Sequence, residues 1–240
     1  MARHFASLGC HVALHANTSV DDARLAAAAI ESEFGVRSIV TIGDVSDEAT
    51  SRKIVLQAVD AFEKLDVFVN SAAIWSPSKL EDITADELRR YFEINAVGSF
   101  LGAKAAGLQM VHQPHGGAII NIGDWATSRP YLDHAAYFPS KGSVETMTRS
   151  LAVELGCRNP KVRVNCVQPG PVLLTEDADQ AVVDRLVTST LANRIGTPGD
   201  VAHAVQMLCE NSFITGVCLP VDGGRTVFSP DGLQSGHNTG

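Results

Sequence analysis

The chain has 240 residues, 45% of them hydrophobic, enough for one sizeable folded domain. Its net charge of −8, with no basic stripe, excludes a protein that grips nucleic-acid backbones. No run reaches the ~18–20 apolar residues of a membrane span, and no signal-peptide pattern opens the chain. The five cysteines, Cys10, Cys157, Cys166, Cys209 and Cys218, form no CxxC pair, as expected of reduced core thiols in a cytoplasmic protein. His11 and His15 are four apart but flank a strand, so no metal site is expected.

In chain order, residues 1–9 read as the body of a helix, with Phe5 and Leu8 at helical spacing and Gly9 as a stop. His11–His15 is a short apolar strand, and Asp21–Phe34 a helix closed by Gly35. Val36–Ile42 is a strand running into Gly43-Asp44-Val45, and Asp47–Glu63 a helix. Leu65–Asn70 is nearly all apolar, the pattern of a buried parallel strand. Thr84 caps a long helix reaching about His112, with Glu87 completing a capping box. Gly117–Ile122 is another buried strand, Ser140–Leu155 a helix and Val162–Val167 a strand. Asp179–Leu191 and Pro198–Cys209 read as helices, and Val217–Val221 as the last strand.

Strands alternating with helices predict an α/β fold: a Rossmann-like, doubly wound parallel sheet in three layers. One domain is expected over residues 1–226, with a polar, disordered tail at 227–240. Ligands of such sheets bind beyond the carboxyl ends of the strands. That directs attention to Asn17, Asp44, residues 70–75, residues 123–125 and residues 169–173. Tyr137 and Lys141, four apart, share one helix face. A lysine ammonium beside a tyrosine favours the phenolate, which makes an acid/base device.

These strand-end motifs together resemble the short-chain dehydrogenase/reductase family. Asp44-Val45 resembles its adenine-contacting acid, and Asn70-Ser71-Ala72-Ala73 is a variant of its Asn-Asn-Ala-Gly element. Asn95 matches the catalytic asparagine, and residues 137–141 match the Tyr-x-x-x-Lys signature. Arg163-Val164-Asn165 with Pro169-Gly170-Pro171 matches the strand and loop that close on the nicotinamide, which places Pro169, Gly170 and Val172 at the cofactor. Ile214-Thr215-Gly216 and Asp222-Gly223-Gly224 match its C-terminal pattern.

Two departures stand out. The family opens with a strand and a Gly-rich turn before the first helix, and here that helix begins at residue 1. Loss of that central strand should expose strand edges, so about fifteen further residues are expected upstream. The other departure is Asp124, where the family usually carries a serine. An ionised carboxylate opposes a developing alkoxide and suits a substrate with nitrogen donors. The pteridine reductases of the family share this aspartate and place an aromatic residue after the Asn-Asn-Ala element, here Trp75. The resemblance therefore implies a pterin stacked on Trp75 and touching Asp124, Tyr137 and Leu173, in a loop over residues 171–177.

The second strand ends in Asn17-Thr18-Ser19 without the acid that NAD enzymes use for the ribose, so NADP is expected, with NADPH as reductant. Under this expectation Tyr137 and Asp124 deliver the proton, Lys141 lowers the tyrosine pKa and reaches the ribose, and Asn95 holds a water or kink behind Lys141. A homotetramer is implied by family analogy. The alternatives are a general carbonyl or alcohol oxidoreductase of the same family, and a non-catalytic nucleotide-binding or scaffold protein.

Overall fold

The structure, a computed structural model, describes residues 1–174 and 179–228. Six strands alternate with helices, and every paired strand runs parallel. The strands are β1 (Val12–Ala16), β2 (Ser38–Ile42), β3 (Val67–Asn70), β4 (Gly117–Ile122), β5 (Val162–Pro169) and β6 (Cys218–Val221). The helices are α1 (Ala2–Ser7), α2 (Val20–Phe34), α3 (Glu48–Phe62), α4 (Ala85–Tyr91), α5 (Ser99–Met110), α6 (Tyr137–Gly156), α7 (Gln180–Thr188) and α8 (Pro198–Glu210). The α/β Rossmann-like architecture is therefore the one the sequence pattern predicts.

Local chemistry explains the boundaries. Asp47 caps α3 through its carboxylate and the Thr50 amide at 2.7 Å. Gly35 ends α2 at a φ of 68°, a left-handed conformation that costs glycine nothing. Thr197 and Asp200 close a reciprocal capping box ahead of α8, with Pro198 in its first turn.

The strands form two hydrogen-bonded sets, β1-β2 and β3-β4-β5-β6. Among the described residues, β1 pairs only with β2, and the far edge of β3 is unpaired. Each set therefore has open edges among the described residues. They also correct the expected burial of β3: all four of its residues are half-buried, while Ala118–Asn121 of β4 are fully buried. Helix α1 spans the two sets. Met1 and Phe5 pack on the core around Ile120, Val167 and Val205, and Ala6 is buried with Ile30 and Val36.

On the opposite face, α3, α5 and α6 bury Val55, Ala103, Ala106, Met110, Leu151 and Leu155 against Ile119 and Val164. Close approach requires glycine in α5: a Cβ at Gly107 would stand 2.3 Å from Leu155 Cδ1.

Three predicted elements need correction. The helix after Thr84 is not continuous, because residues Phe92–Gly98 form a π-helical segment between α4 and α5. Thr84 caps α4, but Glu87 does not close the box; its carboxylate accepts from Ser78 Oγ at 3.3 Å. Helix α6 starts three residues earlier than the pattern suggests, at Tyr137 itself. Most of the predicted tail, residues 229–240, lies outside the described residues; Val227 and Phe228 donate their amides to the Gly224 carbonyl.

Candidate active site

Strand β4 delivers its last residues to the carboxyl edge of the sheet, where the chain turns at Gly123-Asp124 into a single 3₁₀ turn. Asp124 caps that turn, accepting from the Ala126 amide through Oδ1 at 2.8 Å. Its other oxygen, Oδ2, accepts from the Tyr137 hydroxyl at 2.8 Å. A residue set thirteen positions before the tyrosine is thus hydrogen-bonded to it. Tyr137 is 5% exposed, and its hydroxyl is held well above the ordinary tyrosine range. Burial is the largest cause, followed by the Asp124 charge and the hydrogen bond to it.

This corrects the expected role of Lys141 toward Tyr137. The lysine is buried one helical turn deeper, and its Nζ donates to the Ile122 carbonyl at 2.8 Å. The ammonium does not offset the carboxylate at the phenol. Burial lowers the Lys141 pKa, and the attraction of Asp124 opposes that shift. The motif holds a protonated phenol donating to a carboxylate, with the lysine behind it.

Asn95 lies in the π-helical segment and is fully buried. Its Oδ1 accepts from the Ile74 amide at 2.8 Å, and its Nδ2 donates to the Ile74 carbonyl at 3.0 Å and to Ser140 Oγ at 3.1 Å. Asn95 thus sits in a wider helical turn, and its side chain pins the loop after β3 to α6. Ser76 is held in the same way: Tyr91 Oη accepts from its amide at 3.1 Å and donates to its carbonyl at 3.0 Å. Trp75 sits between these two clamped residues. Its ring stacks on His134 at 4.8 Å and 21°, so one indole face expected to receive a substrate is already covered.

Four aromatic or cationic residues that sequence reasoning passed over surround Tyr137 and Trp125: Tyr91, Tyr131, His134 and Arg225. Tyr131 meets the His134 ring edge-on at 4.9 Å, and Arg225 lies over Trp125 at 4.3 Å. His134 is 7% exposed. Its Nδ1 lies 2.9 Å from the Leu132 carbonyl oxygen, which can only accept, so the proton is on Nδ1. Nε2 is buried and without a partner among the described residues. Both residues fall within the stretch 124–141, three and six positions ahead of Tyr137, so a scan for ring systems there would have found them.

The expected cofactor residues lie along the carboxyl ends of the strands. Asn17, Thr18 and Ser19 are exposed after β1 and make no side-chain hydrogen bond within the described residues. Asp44, after β2, accepts from the Ser46 amide at 2.9 Å and hydroxyl at 2.7 Å, and these bonds hold its carboxyl below the usual range. Val45 packs against Gly98, where an added Cβ would come within 2.8 Å of Val45 Cγ2. Asn70 faces inward, donating to the Ser99 carbonyl at 2.9 Å and to Asn121 Oδ1 at 2.8 Å. Ser71 and Ala72 are exposed just beyond it. Pro169 and Gly170 stay in register with Val221, while Val172 packs into the core cluster around Val201 and Val205. Leu173 is 77% exposed, and residues 175–178 of the expected substrate loop lie outside the described residues.

A nicotinamide dinucleotide fits two parts of this edge. Free hydroxyl and amide groups at residues 17–19 suit the adenine-side ribose or its phosphate, and Tyr137 and Lys141 suit the nicotinamide side. The glycine-rich turn that would cradle the pyrophosphate is not among the residues of this chain. Among the described residues, no cluster of three or more His, Cys, Asp or Glu could hold a metal ion, and no helix is long and apolar enough to cross a membrane.

Known proteins resemble this chain over most of its length. The family pattern described as enoyl-(acyl carrier protein) reductase matches residues 1–226. An L-rhamnose 1-dehydrogenase (NAD(P)(+)) from Sphingomonas is 34% identical, over 91% of this chain and 87% of its own length. A trans-4-hydroxycyclohexanecarboxylate dehydrogenase from Sinomonas cyclohexanicum is 35% identical, over 94% of this chain and 86% of its own. The solved structure of a doubly substituted Serratia marcescens short-chain dehydrogenase/reductase superimposes with a TM-score of 0.83 at 32% identity, covering 94% of this chain and 91% of that one.

Proposed function

The chain belongs to the short-chain dehydrogenase/reductase family, and from that premise we propose that it is an NAD(P)-dependent oxidoreductase interconverting a ring-borne secondary alcohol and its ketone. The observation that carries the reading is the 2.8 Å hydrogen bond from the Tyr137 hydroxyl to Asp124. The cofactor, when bound, takes or supplies the hydride. The protein's part is to move the proton. A substrate hydroxyl bound at Tyr137 gives its proton to Oη as the phenolic proton passes to Asp124 Oδ2. A carboxylate already anchored by the Ala126 amide is a ready terminal base, so the pair favours alcohol oxidation. Lys141 holds the nicotinamide-side ribose, and the clamped loop at Ile74 and Ser76 walls the pocket. The relatives named for rhamnose and for a hydroxycyclohexane acid support a cyclic alcohol as substrate.

Reduction of a pterin is the second reading, and Asp124 is the residue that favours it. Against it stand the His134 ring already stacked on Trp75 and relatives named for alcohols. Substituting Asp124→Ser separates the two. A panel of cyclic alcohols, simple ketones and a dihydropterin is assayed by nicotinamide absorbance. Under the alcohol reading the serine variant loses the terminal base near neutrality and regains alcohol turnover as pH rises and the phenol ionises, its own hydroxyl donating to the substrate oxygen. Selective loss of dihydropterin turnover, with no alcohol accepted by either protein, overturns it.

The same reading includes three finer elements. NADP is preferred over NAD, on the uncharged Asn17-Thr18-Ser19 end of β1. The chain works as a homotetramer through the outer faces of α5 and α6, where Phe100 and Val153 are exposed. It resides in the cytoplasm, on the strength of its free cysteines.

A further inference from the structure

Cys166 on β5 and Cys218 on β6 are 52 residues apart in sequence yet are direct register partners in adjacent parallel strands. Neighbouring strands lie about 4.8 Å apart, inside the ~4.4–6.8 Å Cα window of a disulfide. Side chains of register partners leave the sheet on the same face, here toward α6. Cys218 Sγ lies 4.0 Å from the Glu145 carbonyl of α6, the Cys166 thiol donates to the Val167 carbonyl at 3.6 Å, and the two thiols are near enough for each to shift the other's pKa. Cys166 is completely buried, while Cys218 is part-exposed. Cys166 Sγ also presses on Gly123, the residue before Asp124: a Cβ added there would come within 2.8 Å of it.

We propose that Cys166 and Cys218 form a dithiol site that a hydroperoxide closes to a disulfide and a small dithiol reopens, and that closure reaches the turn bearing Asp124. The sequence of bonds is fixed by exposure. Cys218, the accessible partner, attacks the peroxide as thiolate: an S–O bond forms, the O–O bond breaks, and hydroxide leaves as water. Cys166 sulfur then attacks the sulfenic Cys218: the S–S bond forms, the S–O bond breaks, and a second water leaves. Two thiols lose two electrons and the peroxide gains them. The neighbouring Cys166 thiol lowers the Cys218 pKa, while Cys166 itself is held up, which fits attacker and resolver respectively. Arg149 lowers and Glu145 raises the Cys218 value, and Lys141 lowers that of Cys166.

The test uses the full chain with the exposed Cys10 and Cys157 changed to Ser. After treatment with hydrogen peroxide and quenching with N-ethylmaleimide, the expected product is lighter by about 2 Da, with both thiols blocked to alkylation. Peptide mapping should join Cys166 to Cys218, and dithiothreitol should restore both thiols. In Cys166→Ala the reaction should stop at a dimedone-reactive sulfenic acid on Cys218, formed more slowly near neutrality because the neighbour that lowers the Cys218 pKa is gone. Gly123 and Asp124 amide resonances should shift on oxidation of the unmutated pair. Oxidation of Cys218 to sulfinic acid with Cys166 still free overturns the site. A bridge that leaves both amide resonances in place overturns its link to the catalytic turn.

Discussion

Tyr137 and Asp124 share one proton-transfer path, and the sign of the tyrosine shift decides how it responds to pH. Because burial and Asp124 raise its pKa, the tyrosine stays a phenol through neutrality, so wild-type activity should show no tyrosine-controlled rise below about pH 10. Asp124→Ser removes two of the causes and brings the tyrosine back toward its ordinary range. A rising limb should then enter the alkaline profile of kcat/KM; an unchanged profile refutes the relay. Tyr137→Phe should lower turnover by at least ~100-fold, the usual loss when the proton path is cut. The same shift reaches stability. A folded-state pKa above the unfolded one contributes stability that is fully present below the unfolded value of about 10 and is lost as pH climbs past it. Alkaline urea titrations should therefore show wild type losing more stability than Tyr137→Phe between pH 9 and about 11.

His134 belongs to the same scale. Its unpartnered Nε2 offers a hydrogen-bonding atom to a second hydroxyl on the substrate, while its ring supports Trp75. Changing His134→Phe keeps the stack and removes that nitrogen. The expected outcome is a rise in KM for a cyclic diol against the corresponding mono-alcohol, with kcat for the mono-alcohol preserved; equal effects on both remove the assignment. Tyr137, Lys141 and Asp124 were legible from spacing and motif because they belong to one short stretch. Their electrostatics were not, since the i,i+4 rule brings a lysine to the same face but cannot say that its ammonium reaches the Ile122 carbonyl instead.

At the level of elements, the π-helical segment at residues 92–98 matters most. Apolar periodicity reads α4 through α5 as one helix, because both flanks keep a helical repeat and only hydrogen bonding marks the wider turn. That turn drives Asn95 inward, where it holds both backbone groups of Ile74. Asn95→Ala leaves a part-buried amide and carbonyl without their partner, and should cost about 1–3 kcal/mol in urea unfolding. Because the released loop carries Trp75, substrate KM should rise as well. Loss of stability with unchanged KM would leave Asn95 as a brace alone. Strand positions were legible to within a few residues, since β4 and β5 are short stretches rich in Ile and Val. The pairing of Cys166 with Cys218 was not, because register between distant strands leaves no local trace.

Across the whole molecule, the two strand sets have very different support. β4 and β5 are paired on both edges and buried beneath α5, α6 and α8. The β1-β2 pair rests on α2 and α1, and its buried apolar cluster holds only Ala6, Ile30 and Val36. A two-stranded sheet is marginal alone, so its stability comes from α1 bridging below and from α3 packing on α5. Local opening follows such differences in support. Amides of β1 and β2 should exchange with deuterium at least ~10-fold faster than those of β4 and β5. Asn17-Thr18-Ser19 and Asp44 end these weakly held strands, whereas Tyr137 and Lys141 are fixed to the strong set. A nucleotide that touches both must tie them together, and anything that binds only the closed form stabilises it by mass action. Adding NADP should therefore slow exchange in β1 and β2 selectively, with little change in β4. Equal exchange in the two sets without nucleotide would mean that they open as one unit. Slowing confined to the β4–α6 side would place the nucleotide on the catalytic half alone and withdraw residues 17–19 from its site.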